Sequence, residues 1–434
     1  MILNTGEWPI FKKLVFSFLF VYWFIYMAPW TWLNGVHDSI YKITQYWDKA
    51  QDGFVQFSNS HVFHHYKQLV PINGSGDTSW AFTYLWSTLI FSVVGAFLWV
   101  ILWGKKTNFN KLDFWLVLFL RYYICMFAFI YGILKVFCMQ MVFPSLSYLA
   151  TPLGDLLPMR LSWFFIGYSS PYQFFSGVME VLVGLLLLWR KTTTIGALMA
   201  VGVFLNVFML NICYDIPVKL FSLHILIGAI LLVVHEYDRL VGMFIKNQSP
   251  LPGTLYEYDY GSNQYLKIGR IVAKVLFIGL LVILPFYQTM SQYISDQKVI
   301  AKNNILPNGY YEVMKYSVNG IDKRNQYLDS IVWKNLIFDG DRGSALSKDT
   351  LFRQVYNRGY FRFEVDTMNT LLKMYKANGD SIHKVDFKFR MLDSSRIQLQ
   401  GKLWNDSVSI DLQRVVRHFQ LAEKQFHWLS EYNR

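Results

Sequence analysis

Glu180 lies within Tyr172–Trp189, YQFFSGVMEVLVGLLLLW, a stretch otherwise apolar enough for the interior of a bilayer. A carboxylate at that depth costs roughly 2.5–3.5 kcal/mol on insertion scales, and more if it faces lipid unpaired. The side chain is too short to reach an interface, so it must turn inward and find company. Arg121 and Lys135 in an earlier apolar stretch, and His224 in a later one, are the cationic and polar candidates. A buried acid beside a cation can take and give a proton, which makes Glu180 the candidate catalytic group, with Lys135 or Arg121 as its counter-charge. Arg121, Lys135, Asn206 and His224 are the candidate ligand-binding residues. Each has a purely structural alternative. Lys135, Lys219 and Arg121 can snorkel to headgroups, Asn206 and Asn211 can bond helix to helix, and His224 can be a satisfied bundle histidine.

Seven segments are apolar over the roughly 20 residues needed to cross a bilayer: Leu14–Trp32, Ser79–Trp103, Leu112–Phe137, Pro171–Trp189, Thr194–Cys213, Val218–Val234 and Ile268–Tyr287. The sixth is the shortest. Lys12 and Lys13, then Lys105, Lys106 and Lys111, then Arg190 and Lys191, then Arg239, Lys246, Lys267 and Arg270 all fall on one side under strict alternation. The positive-inside rule makes that side cytoplasmic. The N-terminus is then inside and the C-terminal region outside, with a bacterial cytoplasmic membrane as the expected location. The first span is expected to be retained, because no small-residue cleavage site follows it. Arg121 and Lys135 fall on nearly the same face of the third span at about 100° per residue, and Glu180, on the span running back, sits between them in depth. Most of the polar groups thus belong to the outer half of a bundle formed by spans three to six. In the long connection Asn34–Thr78, Val36, Ile40, Ile43, Trp47 and Phe54 recur at roughly helical spacing. They predict an amphipathic helix that lies on the outer membrane face or packs on the extracytoplasmic domain.

From about Ser291 the apolar runs stop and period-two alternation begins, as in Lys384-Val385-Asp386-Phe387-Lys388-Phe389-Arg390 and in Arg396-Ile397-Gln398-Leu399-Gln400. Such alternation predicts half-buried antiparallel strands. Turn signals separate them at Asn319-Gly320, Asp339-Gly340, Asn378-Gly379-Asp380 and Asn405-Asp406-Ser407. Six to eight strands fit the tail, enough for a small sandwich or barrel. Leu412, Val415, Val416, Phe419 and Ala422 leave a short terminal amphipathic helix open. The fold class is therefore an α-helical polytopic membrane protein with a C-terminal, mainly antiparallel β domain. Its regions are a two-span region 1–111, a four-helix bundle 112–234, a cytoplasmic loop 235–267, a seventh span 268–290 and the β domain 291–434.

The third span reads Arg121-Tyr-Tyr-Ile-Cys-Met-Phe-Ala-Phe-Ile-Tyr131-Gly132-Ile-Leu-Lys135, and the fourth Gly177-Val-Met-Glu180-Val-Leu-Val-Gly184-Leu-Leu-Leu. An opening Arg, a Gly-x-x-Lys at the helix end, then a Glu followed by a small residue and an apolar run, resembles the DoxX/DoxD-like membrane proteins over about Leu112–Val234. The resemblance implies a four-helix membrane bundle and a place in a redox system, such as the small subunit of a thiosulfate:quinone oxidoreductase. This chain adds two spans before the bundle, one after it, and the β-rich tail. Vitamin-K-dependent carboxylase-like proteins also join a bundle to a β-rich extracytoplasmic part, which is an architectural analogy only. The first functional expectation is thus a redox-associated membrane protein that holds a quinone or another small amphiphile near Glu180 and docks a redox or other protein partner through its β domain. A non-enzymatic scaffold or assembly factor presenting that domain is the second. A small-solute or lipid transporter is the third, though no inverted repeat or broken helix pair supports it.

The formal charge of +12 raises the question of nucleic acid. The cations instead flank apolar spans or are spread through a tail of 22 basic and 16 acidic residues, and no basic run of the phosphate-gripping kind occurs. The bilayer is the expected partner, with 15 Trp and 28 Tyr to populate its interfaces. His61-x-x-His64-His65 is the one histidine cluster, but no carboxylate or cysteine at ligand spacing completes a metal site. Cys138 and Cys213 fall at the outer ends of their spans, where a disulfide is chemically allowed. Cys125 is mid-span packing. No phosphate loop, nucleophile elbow, Rossmann or haem-attachment motif is present.

Overall fold

The computed structural model describes residues 7–65, 67–106, 108–249, 263–302, 306–325, 332–376 and 385–423. The chain divides into two compact units, Met1–Met141 with Ser169–Met290, and Val142–Tyr168 with Ser291–Arg434. The helices in chain order are α1 (Ile10–Met27), α2 (Asp38–Ser58), α3 (Ser79–Trp103), α4 (Asn110–Val136), α5 (Leu146–Leu149), α6 (Pro158–Tyr168), α7 (Ser170–Leu188), α8 (Thr193–Cys213), α9 (Lys219–Val234), α10 (Tyr237–Phe244), α11 (Gln264–Ile278) and α12 (Leu284–Lys302).

Among the described residues six helical stretches are long and apolar enough to cross a membrane: Ile10–Thr31, Ser79–Trp103, Asn110–Val136, Ser170–Leu188, Arg190–Cys213 and Gln264–Gln297. The protein is a multi-pass membrane protein. The expected sixth span is 16-residue α9, about 24 Å long and short of the ~30 Å hydrocarbon core. It qualifies only together with α10, from which it is bent by 70°. The bend falls at His235 and Glu236, where the apolar run ends. The last span outruns its expected end at Tyr287, because the polar residues after it keep the helix going, with Gln292 bonded to Asp296 one turn on (2.7 Å). Polarity there marks the end of the apolar run and not of the helix.

In the helical unit α4 is central, packed against α7, α1 and α9. Trp23, Ile124, Leu187 and Ile225 are fully buried in its core. The two N-terminal spans therefore join the core expected of spans three to six alone. α3 lies along α1 through the buried small polar residues Ser87 and Ser92, whose hydroxyls donate to carbonyls one turn back (2.7 Å each), an arrangement that lets backbones approach. The helices run up and down. At one rim Lys13 Nζ donates to Gly104 O (3.0 Å) and His235 meets Asp113 (3.0 Å). At the opposite rim Gly76 N donates to Pro217 O (2.8 Å), and Asp77 accepts from the N–H groups of Lys219 and Leu220, capping α9 (2.7 and 3.0 Å). The predicted amphipathic helix is α2, and it lies along α3 through Gln51–Tyr84 (2.7 Å) and Trp80–Asp52 (2.9 Å).

Among its described residues the second unit holds ten strands, β1 (Gly309–Val318), β2 (Ile321–Asp322), β3 (Asn335–Asp339), β4 (Arg342–Leu346), β5 (Arg353–Val355), β6 (Arg358–Asp366), β7 (Leu371–Lys376), β8 (Val385–Met391), β9 (Arg396–Leu403) and β10 (Asp406–Val415). All pairings are antiparallel, in the order β10-β9-β8-β7-β6-β4-β3-β1, and β1 pairs back onto β10 to close an eight-stranded barrel. Only the short β2 and β5 stand off the ring. A barrel of this size has an interior that side chains can fill, here Tyr311, Phe338, Phe361, Phe387 and Leu399 among others. The alternation read at β8 and β9 is borne out. The helix left open at the terminus is not formed as spaced: Leu412 and Val415 belong to β10, and only Gln420–Glu423 is helical. The turn expected at Asn378-Gly379-Asp380, and Lys384, lie outside the described residues.

Val142–Tyr168, which the sequence treats as a connection between spans, belongs to this barrel unit. Strand alternation puts Asn335, Ser344, Arg358 and Tyr360 on the outer face of β3, β4 and β6, and the segment covers them. Leu146 N donates to Asp339 Oδ2 (2.9 Å), Ser147 Oγ meets Ser344 Oγ (2.7 Å), and Tyr148 packs on Tyr360. Beneath it Arg358 is buried, its guanidinium donating to Ser344 Oγ (2.9 Å) and Asn335 Oδ1 (2.7 Å). Burial pulls the Arg358 pKa down to about 10.

Asp349 is the buried acid of the same unit. Burial raises its carboxyl above the usual 3.8, against hydrogen bonds from Leu351 N and Trp404 Nε1. Its Oδ2 has no partner among the described residues. An acid that holds its proton more tightly when folded contributes stability at low pH, which is lost as pH rises from 3.8 through the raised folded value. Asp349→Asn keeps an acceptor for both donors. It is expected to slow hydrogen exchange of the β9 and β10 amides relative to wild type at pH 7 and to match wild type near pH 3. Faster exchange in the variant at pH 7 would contradict the assignment.

Candidate functional site

The α4–α7 seam is built from two matching series. On α7 the buried residues Gln173, Gly177, Glu180, Gly184 and Leu187 recur at steps of four and three, and on α4 Arg121, Cys125, Ala128, Gly132 and Lys135 do the same. Each series makes one face of its helix. The helices run antiparallel, with Gly132 against Gly177 and Phe129 against Gly184. The glycines bring the backbones close enough for Cys125 Sγ to reach Gly184 O (3.3 Å).

At one end of the seam Lys135 Nζ donates to both carboxylate oxygens of Glu180, at 2.7 and 2.8 Å. The two residues are 5% and 1% exposed. A pair this deep persists only because each charge cancels the other's desolvation cost and both oxygens are satisfied. Lys135, and not Arg121, is therefore the counter-charge. Arg121 reaches the other way, to Thr193 Oγ1 at the α7–α8 turn (3.4 Å), with its guanidinium over the Tyr122 ring (4.9 Å).

His224 joins a different group. Its Nδ1 lies 2.6 Å from Leu220 O, a pure acceptor, so Nδ1 carries the proton and Nε2 accepts from the Tyr22 hydroxyl (2.5 Å). Tyr26 stacks on the ring at 3.9 Å. Asn206 is exposed on α8, while Asn211 is buried. Lys219 pairs with Asp215 (2.7 Å) at the end of α9. The structure thus joins Glu180 to Lys135 and places Arg121, Asn206 and His224 elsewhere. Cys138 and Cys213 are free thiols, and Cys138 Sγ points to Ser170 O (3.6 Å). His61 stacks on Phe57. Among the described residues no three His, Cys, Asp or Glu side chains converge as a metal site.

Sequence reasoning missed two features. Gln173 is fully buried on the Glu180 face, and neither amide atom has a partner among the described residues. Its place seven residues before Glu180 was the available signal. The second is a half-open pocket of about 580 Å³ between α1, α2, α4 and the α11–α12 junction, lined by Tyr26, Trp32, Trp47, Tyr123, Met126 and Leu281 among others. No Lys, Arg or His lines it, and Asp48 is its one acid, exposed at the edge. The indole N–H of Trp47 is buried in its wall without an acceptor among the described residues. It is a largely aromatic pocket with Thr31, Asn34, Gln51 and Gln288 also in its lining and an unmet donor in its wall.

An α-helical multi-pass membrane unit continuous with an antiparallel β-barrel is the class of protein that fold and site define. The chain is similar to the uncharacterized protein YwoB of Bacillus subtilis (strain 168), 29% identical over 133 residues, which are 30% of this chain and 82% of YwoB. No family model matches the chain, and no solved structure does.

Proposed function

We propose that the protein is a redox-associated membrane protein, DoxX-like over spans three to six, whose helical unit binds a quinone or a similar small amphiphile in the aromatic cavity. The observation that carries this reading is the unmet Trp47 N–H in a wall otherwise built mostly of aromatic and aliphatic side chains, with a few polar ones such as Asn34, Gln51 and Gln288. A buried donor left without an acceptor costs about 1–3 kcal/mol, and a quinone carbonyl is an acceptor on a flat apolar body. Pockets of this size and lining suit such ligands. The expected position beside Glu180 shifts to the cavity, because both Glu180 oxygens are occupied by Lys135. The shared rim of Lys13, Gly104, Asp113 and His235 supports a cytoplasmic N-terminus in a bacterial inner membrane, with the barrel outside to meet a partner.

The test is photolabelling of the detergent-purified full chain with an azidoquinone. Labelling is expected on peptides carrying Trp47 and Met126. Decylubiquinone is expected to compete, and Met126→Trp, which fills the chamber, to cut labelling about tenfold or more while the protein still elutes as a single species. Labelling that is spread evenly, or that excess decylubiquinone leaves untouched, rejects the reading. The scaffold reading is the alternative, favoured by the same occupied carboxylate: a satisfied ion pair holds two helices in register without chemistry.

A further inference from the structure

The sequence contains no phosphate-gripping run, yet the fold gathers cations from three elements at the α7–α8 turn. Arg121 is 91% buried by residue, and its Nε has no acceptor among the described residues. Its Nη1 touches Thr193 Oγ1, which in turn donates to Trp189 O (3.0 Å). Lys274 of α11 stands 4.7 Å over the Trp189 ring. Arg190 lies within electrostatic reach of Arg121, and Lys274 within reach of both Arg121 and Arg270. Neither Arg121 nor Lys274 touches a carboxylate among the described residues.

The same point is the start of α8, a 21-residue helix with no side-chain cap and no acid in its first turn. The helix dipole at this end favours an anion. Half-exposed Trp189 leaves the cluster open along the outside of the bundle. Like charges gathered this closely repel unless something negative neutralises them.

We infer that this rim binds the phosphodiester head of an anionic phospholipid, with Arg121, Lys274 and the α8 N-terminus around the phosphate and Trp189 against the glycerol. Basic pockets between spans on the positively flanked side of a membrane suit such heads. The cations come from α4, the α7–α8 turn and α11, so the bound lipid would also bridge the last span to the bundle.

The test is native mass spectrometry of the full chain released from nanodiscs of phosphatidylcholine with a quarter phosphatidylglycerol. Retained lipid is expected to be enriched in phosphatidylglycerol, and the enrichment to fall about fivefold for each cation removed in Arg121→Gln and Lys274→Gln. Lys274 is only partly buried, so its variant is expected to fold even if the Arg121 variant does not. Lys105→Gln, on the same rim but outside the cluster, is expected to change nothing. Equal losses in all three variants would reduce the effect to general surface charge and overturn the site. Displacement of the lipid by 20 mM inorganic phosphate, or no enrichment in wild type, would overturn it also.

Discussion

Lys135→Met is expected to destabilise the purified protein by about 3–5 kcal/mol, the range for removing one partner of a buried ion pair. The double variant Lys135→Met/Glu180→Met is expected to recover most of that loss. The reasoning rests on the geometry of the pair. Among the described residues Lys135 Nζ is the sole ionic partner of Glu180 and engages both oxygens, so its removal leaves a carboxylate 1% exposed with no described group to cancel its desolvation. Removing both charges removes the penalty along with the attraction, and two methionines fill comparable space. Thermal unfolding in a mild detergent reads the order of stabilities directly. A double variant as unstable as the single one would mean that packing, and not charge, is what the single variant lost.

Gly177→Val is expected to cost about 3 kcal/mol, the upper end for overpacking. A Cβ at this position would lie 2.6 Å from Val136 N, 2.7 Å from Gly132 O and 2.8 Å from Lys135 Cβ. Two of these three atoms are backbone, so no rotamer change relieves the clash and α4 must move away from α7. That movement also pulls Lys135 from Glu180, which couples the two predictions. Gly202 of α8 is the control, because a Cβ there meets nothing within 4 Å, and Gly202→Ala is expected to be neutral or slightly stabilising. If the two variants melt together, close approach is not what holds the seam.

The parts of the fold that were legible follow from local chemistry. Apolar runs of span length and the cations beside them announced the membrane helices, and alternation at Val385–Arg390 and Arg396–Gln400 announced strands. The partner of Glu180 was half legible. Arg121 and Lys135 share one helix face, and only the register of α4 against α7, set by Gly132, Gly177 and Gly184, selects Lys135. Tyr22 as the partner of His224 was hidden in an aromatic-rich first span where no residue stands out by type. The cavity was not legible at all, because its walls come from helices whose apolar residues look like any other span. The basic cluster was missed for the same reason: Arg121, Arg190 and Lys274 are far apart in sequence and meet only through the turn between α7 and α8. The closed barrel, as against a sandwich, depended on β1 finding β10, a pairing that no local pattern encodes.

The cover on the outer barrel face also has a consequence for how the chain is made. Leu146 bonds to Asp339 across 193 residues, so at ordinary ribosomal speeds of 5–20 residues per second the segment waits about 10–40 s for the strands it must cover. During that interval Tyr148 and its neighbours have no surface to shield, and three of the six span-length helices, with the bent α9–α10 pair, are still to be synthesised. Late completion of this kind makes the barrel an assembly of two separately delivered pieces. A fragment beginning at Ser291 would lack one of them and would emerge with Arg358 bare.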